Sequence, residues 1–266
     1  MRWVARALVE LVLPKACVGC GAPGELLCAA CAPSGAAFPV RSRRHWVRVF
    51  AAARYDGGVR AALLAYKERG RRELADRLAG LLVDPLTELI GEHRDRIAAR
   101  AALGETRGPP AWTGPASRLA ASVPAARPAP GAASDPAGEL APVLVPVPSV
   151  ASLARARGGD HVARLARGAS ACTGLPVARA LRLARPVRDS AGLDSVARAR
   201  NVHGAMAAAA PPVGVRFAAV IVDDIVTTGA TFGESARALT AAGWPVLGAV
   251  AVAATPSRGE RPDSDR

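Results

Sequence analysis

Two sets of residues have types and spacings that can do chemistry. The first is Asp223-Asp224, followed by Thr227-Thr228-Gly229-Ala230-Thr231, at the end of the apolar run 219–222. Adjacent carboxylates can accept from two vicinal sugar hydroxyls, or hold Mg²⁺ through its waters. A Gly-containing turn into a helix offers backbone N–H groups and a positive dipole end to a phosphate. Threonine hydroxyls add donors to the same anion. Acids followed closely by a phosphate-binding turn therefore describe a site for a phosphorylated ribose. The second set is Cys17-x-x-Cys20 and Cys28-x-x-Cys31, two knuckles separated by seven residues. Four thiolates at that spacing suit one tetrahedral, closed, structural Zn²⁺. Disulfides are the competing use, and are disfavoured in a reducing compartment. The fifth cysteine, Cys172, lies in an Ala-rich helical pattern and is expected to be a small core residue.

Elements of α/β type must position these groups. The run 219–222 has the continuous apolarity of a strand buried on both faces of a parallel sheet. A helix is expected over 234–242, with Gly243 and Pro245 as stop signals. Ligands in such sheets sit at the carboxyl ends of strands, where Asp223 and Asp224 are expected. Residues 46–55 and 246–253 read as further strands, and 143–147 as a strand entering a rigid turn at Pro146-Val147-Pro148-Ser149. Helices are expected from Val59 through Lys67, over 162–171, and over 73–92, where Pro85 should kink or break the pattern.

The chain of 266 residues carries a net charge of +13, almost all from arginine, since Lys15 and Lys67 are its only lysines. Between Val150 and His203 ten arginines face three aspartates, so this span holds +7 of the total. Such an excess attracts phosphorylated metabolites, nucleic acid or anionic lipid. No G-x-x-x-x-G-K-[ST] is present, which excludes a P-loop NTPase. A G-x-G-x-x-G at 19–24 overlaps the first knuckle, with no strand before it and Pro23 where a helix should start, so it is not a dinucleotide fingerprint. No run is long and apolar enough to span a bilayer. Residues 1–14 read as a short amphipathic helix ended by Pro14, because Arg6 and Glu10 interrupt any signal-peptide core. A cytoplasmic protein is the expectation.

Five segments follow. Residues 1–45 form the N-terminal helix and cysteine module, and 46–103 the first part of the main domain. Residues 104–142 hold eight prolines among Ala, Gly and Ser, and read as a disordered surface insertion. Residues 143–255 complete the core, and 256–266 form a polar tail.

The stretch V-I-V-D-D-I-V-T-T-G-A-T resembles the phosphoribosyl pyrophosphate (PRPP) motif of type I phosphoribosyltransferases. Together with the paired C-x-x-C, the Tyr55–Lys67 segment and V-P-V-P followed by R-G, the chain resembles the ComF family, linked to DNA uptake in competent bacteria. The resemblance implies a type I phosphoribosyltransferase-like parallel sheet flanked by helices, with a small zinc-knuckle module. It places ribose hydroxyls at Asp223 and Asp224, the 5′-phosphate at Thr227, Thr228, Gly229, Ala230 and Thr231, and pyrophosphate at Pro146, Val147, Pro148 and Ser149. Lys67, Arg157, Arg198 and Asn201 are then candidate substrate or anion contacts. The chain departs from the family's R-G-F-N-Q, having Arg157-Gly158-Gly159-Asp160-His161, and carries Ser190 where a glutamine is usual. Three functions stay open. One is phosphoribosyl transfer from PRPP with Mg²⁺. Another is single-stranded DNA binding beside a DNA-uptake helicase. The third is PRPP sensing without turnover.

Overall fold

A computed structural model describes residues 15–33, 35–40, 47–102, 140–149, 159–187, 195–213 and 216–256. The expected helix at 1–14, most of the Pro-rich segment, Arg157, Ser190 and nearly all of the tail lie outside them.

The centre of the molecule is a five-stranded sheet. Its strands are β1 (Phe38–Pro39), β2 (Val49–Arg54), β3 (Ala141–Pro146), β6 (Phe217–Val226) and β7 (Val246–Ala254), in the spatial order β1-β2-β7-β6-β3. All pairings are parallel except β1 with β2. A separate antiparallel pair joins β4 (Leu181–Leu183) to β5 (Met206–Ala208). Strand β6 is buried on both faces because its side chains alternate between two cores. Ala218, Val220 and Val222 point into one, and Ala219 and Ile221 into the other. β3 carries Pro142 and Pro146, which an edge strand tolerates, and among the described residues it hydrogen-bonds outward to the short segment around Val177.

The first face is covered by α1 (Gly57–Glu68), α2 (Ala75–Gly80), α3 (Val83–Ala102) and α4 (His161–Thr173). Helix α1 buries Val59, Ala62, Leu63 and Tyr66, an i, i+3, i+4, i+7 stripe. The 73–92 pattern is divided: a 3₁₀ turn at Arg72–Leu74 leads into α2, and α3 begins at Val83. Pro85 thus stands in the first turn of α3, where a missing N–H costs nothing, and the break falls before it. Helix α4 is capped by Asp160, whose carboxylate accepts from the Ala163 N–H, and it buries Val162, Leu165, Ala166 and Ala169. Cys172 is exposed, contrary to expectation, because it lies in the last turn beyond Ala169, where that buried stripe ends.

The second face is covered by α6 (Ala230–Ala241) and the β4–β5 pair, with Phe232, Leu239, Trp244, Leu181 and Met206 in the core. Helix α5 (Ser195–Val202) packs against α6. Glu234 on α6 accepts from the Met206 N–H at 3.0 Å and is paired with Arg237 at 2.7 Å, which ties β5 to the helix. Among the described residues, no helix is long and apolar enough to cross a membrane.

Candidate functional site

Strand β6 does not stop at Val222. It continues to Val226, because β7 pairs with it as far as Val226↔Ala254 after β3 has ended at Pro146↔Val222. Asp223 and Asp224 therefore lie within a strand that outruns its neighbour. Strand alternation turns the two carboxylates to opposite faces.

Asp224 turns toward α1 and α4 and is buried. Its Oδ2 receives Lys67 Nζ at 3.0 Å and His161 Nε2 at 2.8 Å. Burial alone would raise its pKa, but Lys67 and His161 outweigh that and hold the carboxyl well below the usual range. Asp223 is half-buried and accepts the N–H of Asp224 at 2.8 Å. Burial first, then the neighbouring Asp224 charge, pushes its carboxyl well above the usual range, with Lys67 pulling weakly the other way. The two acids of the motif thus have opposite environments. One is internally neutralised, and the other has its charged form disfavoured, a penalty that a cation would relieve.

Beyond Val226 the chain turns through Thr227, Thr228 and Gly229 into α6. Gly229 is the N-cap with φ +76°, a left-handed conformation that a side chain would strain. The helix therefore begins at Ala230, earlier than the expected body at 234. Thr228 Oγ1 accepts from the Ala230 N–H at 3.4 Å, while Thr227 is exposed and Thr228 and Thr231 are half-buried at the same end. The helix dipole and first-turn N–H groups favour an anion there.

The loop leaving β3 approaches the same region. Val147 N–H donates to the Val222 carbonyl at 2.9 Å, and Pro148 and Ser149 follow, half-buried. Ser149 Oγ lies 3.2 Å from His161 Nδ1 and donates to Asp160 Oδ1 at 3.0 Å. Asp160 Oδ2 meets Arg179 at 3.4 Å. Tyr66 donates its hydroxyl to the His161 carbonyl at 2.9 Å, and its ring meets the imidazole edge-on.

Of the residues singled out in the sequence, Lys67, Ser149 and Asp224 are therefore brought into one hydrogen-bonded cluster. Arg157 lies outside the described residues, and for Arg198 only the backbone, within α5, is described. Asn201 is at the end of α5, where its carbonyl accepts from Arg185 at 3.1 Å. Sequence reasoning overlooked His161, Tyr66 and Asp160. The available signal was the Asp-His pair directly before the helical pattern at 162, since an N-cap acid fixes where the next side chain points.

At the amino-terminal end of the described chain, Cys17, Cys20, Cys28 and Cys31 present sulfurs all within 4.8 Å of one another. A tetrahedron with Zn–S of about 2.3 Å needs sulfurs about 3.8 Å apart, so the four could hold a metal such as zinc. The Cys28 N–H donates to Cys17 Sγ at 3.4 Å. That bond, with further N–H groups from Cys20 and Gly19, draws the Cys17 thiol down to about 6. The Cys20 thiol and burial push Cys31 up to about 12. A metal resolves this conflict by taking all four as thiolates.

The second knuckle rests directly on the start of α1. A Cβ at Gly58 would lie 2.5 Å from both Cβ and the carbonyl oxygen of Cys31. In an open helix turn Gly58→Ala would stabilise the fold by up to about 1 kcal/mol. Here it is expected to cost about 1–3 kcal/mol and to weaken metal retention, since backbone must move. Thermal melting with zinc quantitation gives the sign, and stabilisation would exclude this seating.

These features define a mixed α/β protein with a mostly parallel central sheet, flanking helices and a four-cysteine cluster near its N-terminus. No protein-family model matches the chain, and no curated protein matches it.

Proposed function

We propose that the chain is a phosphoribosyltransferase-fold protein of ComF type that binds PRPP with Mg²⁺ and passes the phosphoribosyl group to an acceptor. The observation that carries this reading is Asp223-Asp224 on β6, followed within one turn by the threonine-lined N-terminus of α6. In this reading the first turn of α6, with Thr228 and Thr231, binds the 5′-phosphate. Asp223 faces the ribose hydroxyls, and the 146–149 loop faces the pyrophosphate. Mg²⁺, for which Asp223 is the available oxygen donor, would neutralise charge on the pyrophosphate when bound. In the transfer, the bond from ribose C1 to pyrophosphate oxygen breaks, and pyrophosphate leaves with the electron pair. The acceptor's nucleophile forms the new bond to C1. Asp223, the carboxylate not already paired with Lys67 and His161, stabilises the positive charge that develops on the sugar. Zn²⁺ in the four-cysteine cluster is structural in this reading, because all four positions are filled by protein.

Calorimetric titration with PRPP and Mg²⁺ tests the proposal. Thr228→Ala and Thr231→Ala each remove a hydroxyl aimed at a charged group, worth about 1.5–3 kcal/mol. Both should weaken PRPP and ribose 5-phosphate alike, by about tenfold or more, because both ligands carry the same phosphate. Wild-type protein that gives no PRPP binding would exclude the reading. The net charge of +13 favours the second reading, a single-stranded DNA accessory of DNA uptake. The same titration selects it if oligonucleotides bind, salt-dependently, where PRPP does not. PRPP binding with no pyrophosphate release for any acceptor would identify a sensor.

A further inference from the structure

The inference rests on the reading of the site given above. We propose that His161 is a positioning residue: it tethers Ser149, on the loop leaving β3, to Asp224 on β6, so that loop and acid-bearing strand are held together before a ligand arrives. The three residues come from separate stretches of chain and meet through the two nitrogens of one ring. Nδ1 lies 3.2 Å from Ser149 Oγ, and Nε2 lies 2.8 Å from Asp224 Oδ2.

The ring is placed to act as a spacer of constant length. It is buried, and it is the first residue of a helix whose N-cap is the neighbouring Asp160. Tyr66 holds its backbone carbonyl and packs edge-on against the imidazole. The carboxylate of Asp224 already accepts from Lys67, so its contact with His161 requires Nε2–H as donor. In the singly protonated ring, Nδ1 accepts the Ser149 hydroxyl proton, which then leaves Asp160. In the doubly protonated ring, Nδ1–H donates to Ser149 Oγ, whose own proton goes to Asp160. Ser149 is tied to the ring in both states.

The loop depends on this tie. The Val147 N–H to Val222 carbonyl bond extends the β3–β6 ladder one residue past the end of β3. Pro148 has no N–H to give. The Ser149 side chain therefore anchors the loop where it leaves the sheet, against His161 and Asp160. Without the tether the loop must be ordered when ligand binds, and affinity falls by that cost. The loss should fall on ligands that reach the loop, and spare a ligand held only at the start of α6.

Three ligands with Mg²⁺ separate these cases by calorimetry: PRPP, inorganic pyrophosphate and ribose 5-phosphate. His161→Leu keeps the volume and leaves Asp224 paired with Lys67. It should weaken PRPP and pyrophosphate by about tenfold and leave ribose 5-phosphate within about twofold. His161→Gln should restore part of the binding, because its carboxamide carries a donor and an acceptor on one carbon. Ser149→Ala added to His161→Leu should cost no more than Ser149→Ala alone, since that change already removes the hydroxyl that meets both the ring and Asp160. Equal losses for all three ligands, or no rescue by glutamine, would overturn the tether and leave the reading of the site standing. Wild-type protein that binds none of the three overturns both. Should His161→Leu fail to fold, Ser149→Ala must speed hydrogen exchange at the Val147 amide of the ligand-free protein, and unchanged exchange there would overturn the tether.

Discussion

Asp224→Asn is expected to lower the stability of the ligand-free fold by about 3 kcal/mol, the low end for breaking a buried ion pair, because Lys67 keeps some exposure. The carboxamide is nearly the same shape as the acid, so shape alone predicts little change. The structure gives a different answer because the carboxylate neutralises Lys67 and accepts from His161 at once. Asparagine removes the charge that balances this ammonium at the end of α1. Asp223→Asn should act in the opposite direction. Asp223 has a folded pKa raised above its ordinary 3.8, so its contribution is most favourable below that value. It becomes a cost that grows as pH rises from 3.8 to the folded pKa and is constant above it. Removing its charge should therefore stabilise the protein at pH 7, and that gain should fade as pH falls toward 3.8 and be absent below it. The depressed Asp224 behaves inversely: its stabilisation is present above 3.8 and lost as pH falls below it. Urea denaturation of the two variants at pH 7 and at low pH measures both. Equal and small effects would show that the two acids are solvated alike. An acid that destabilises its own fold, beside one that supports it, is the pattern expected where a site is kept ready for a ligand.

Removal of a metal held by the four-cysteine cluster is expected to have an effect at least as large. Leu26 and Leu27, between the two knuckles, belong to the core beneath α1, together with Leu63 and Tyr66. The short backbone spans around them are held by turns, with Gly24 N–H donating to Lys15 and Cys17 N–H to Ala22. Such a segment has too little regular structure to keep two leucines buried without a cross-link. If both leave the core, about 3–6 kcal/mol of burial is lost. For a chain of this size that corresponds to a fall in Tm of roughly 10–20 °C. Chelation at equilibrium, Cys28→Ser and Cys31→Ser should each produce it, with zinc released at one equivalent per chain. A protein that carries no zinc as purified and melts unchanged in chelator would refute a structural metal. Because the second knuckle sits on Gly58, at the start of the helix that ends near Lys67, the loss should also loosen the far end of α1. Hydrogen exchange across residues 57–68 would report that loosening.

What the sequence by itself determined follows from local periodicity and spacing. The unbroken apolar run before Asp223 specifies a strand buried on both faces, and the i, i+3, i+4 stripe of α1 specifies one packed face. Two C-x-x-C knuckles with a short spacer specify a four-sulfur cluster, because ligand geometry and chain reach leave few alternatives. Element ends were less legible. Strand β6 runs on to Val226 because β7 is there to pair with it, and no residue of β6 encodes the length of its neighbour. Cys172 is exposed because the buried stripe of α4 ends at Ala169, which local composition does not reveal. The division between Asp223 and Asp224 was decided wholly by tertiary structure. The partners of Asp224 are His161, 63 residues away in sequence, and Lys67 on α1. Strand alternation placed only one of two identical side chains where those partners converge. Charge environment is a property of that convergence, so identical residues, adjacent in sequence, acquired opposite protonation tendencies.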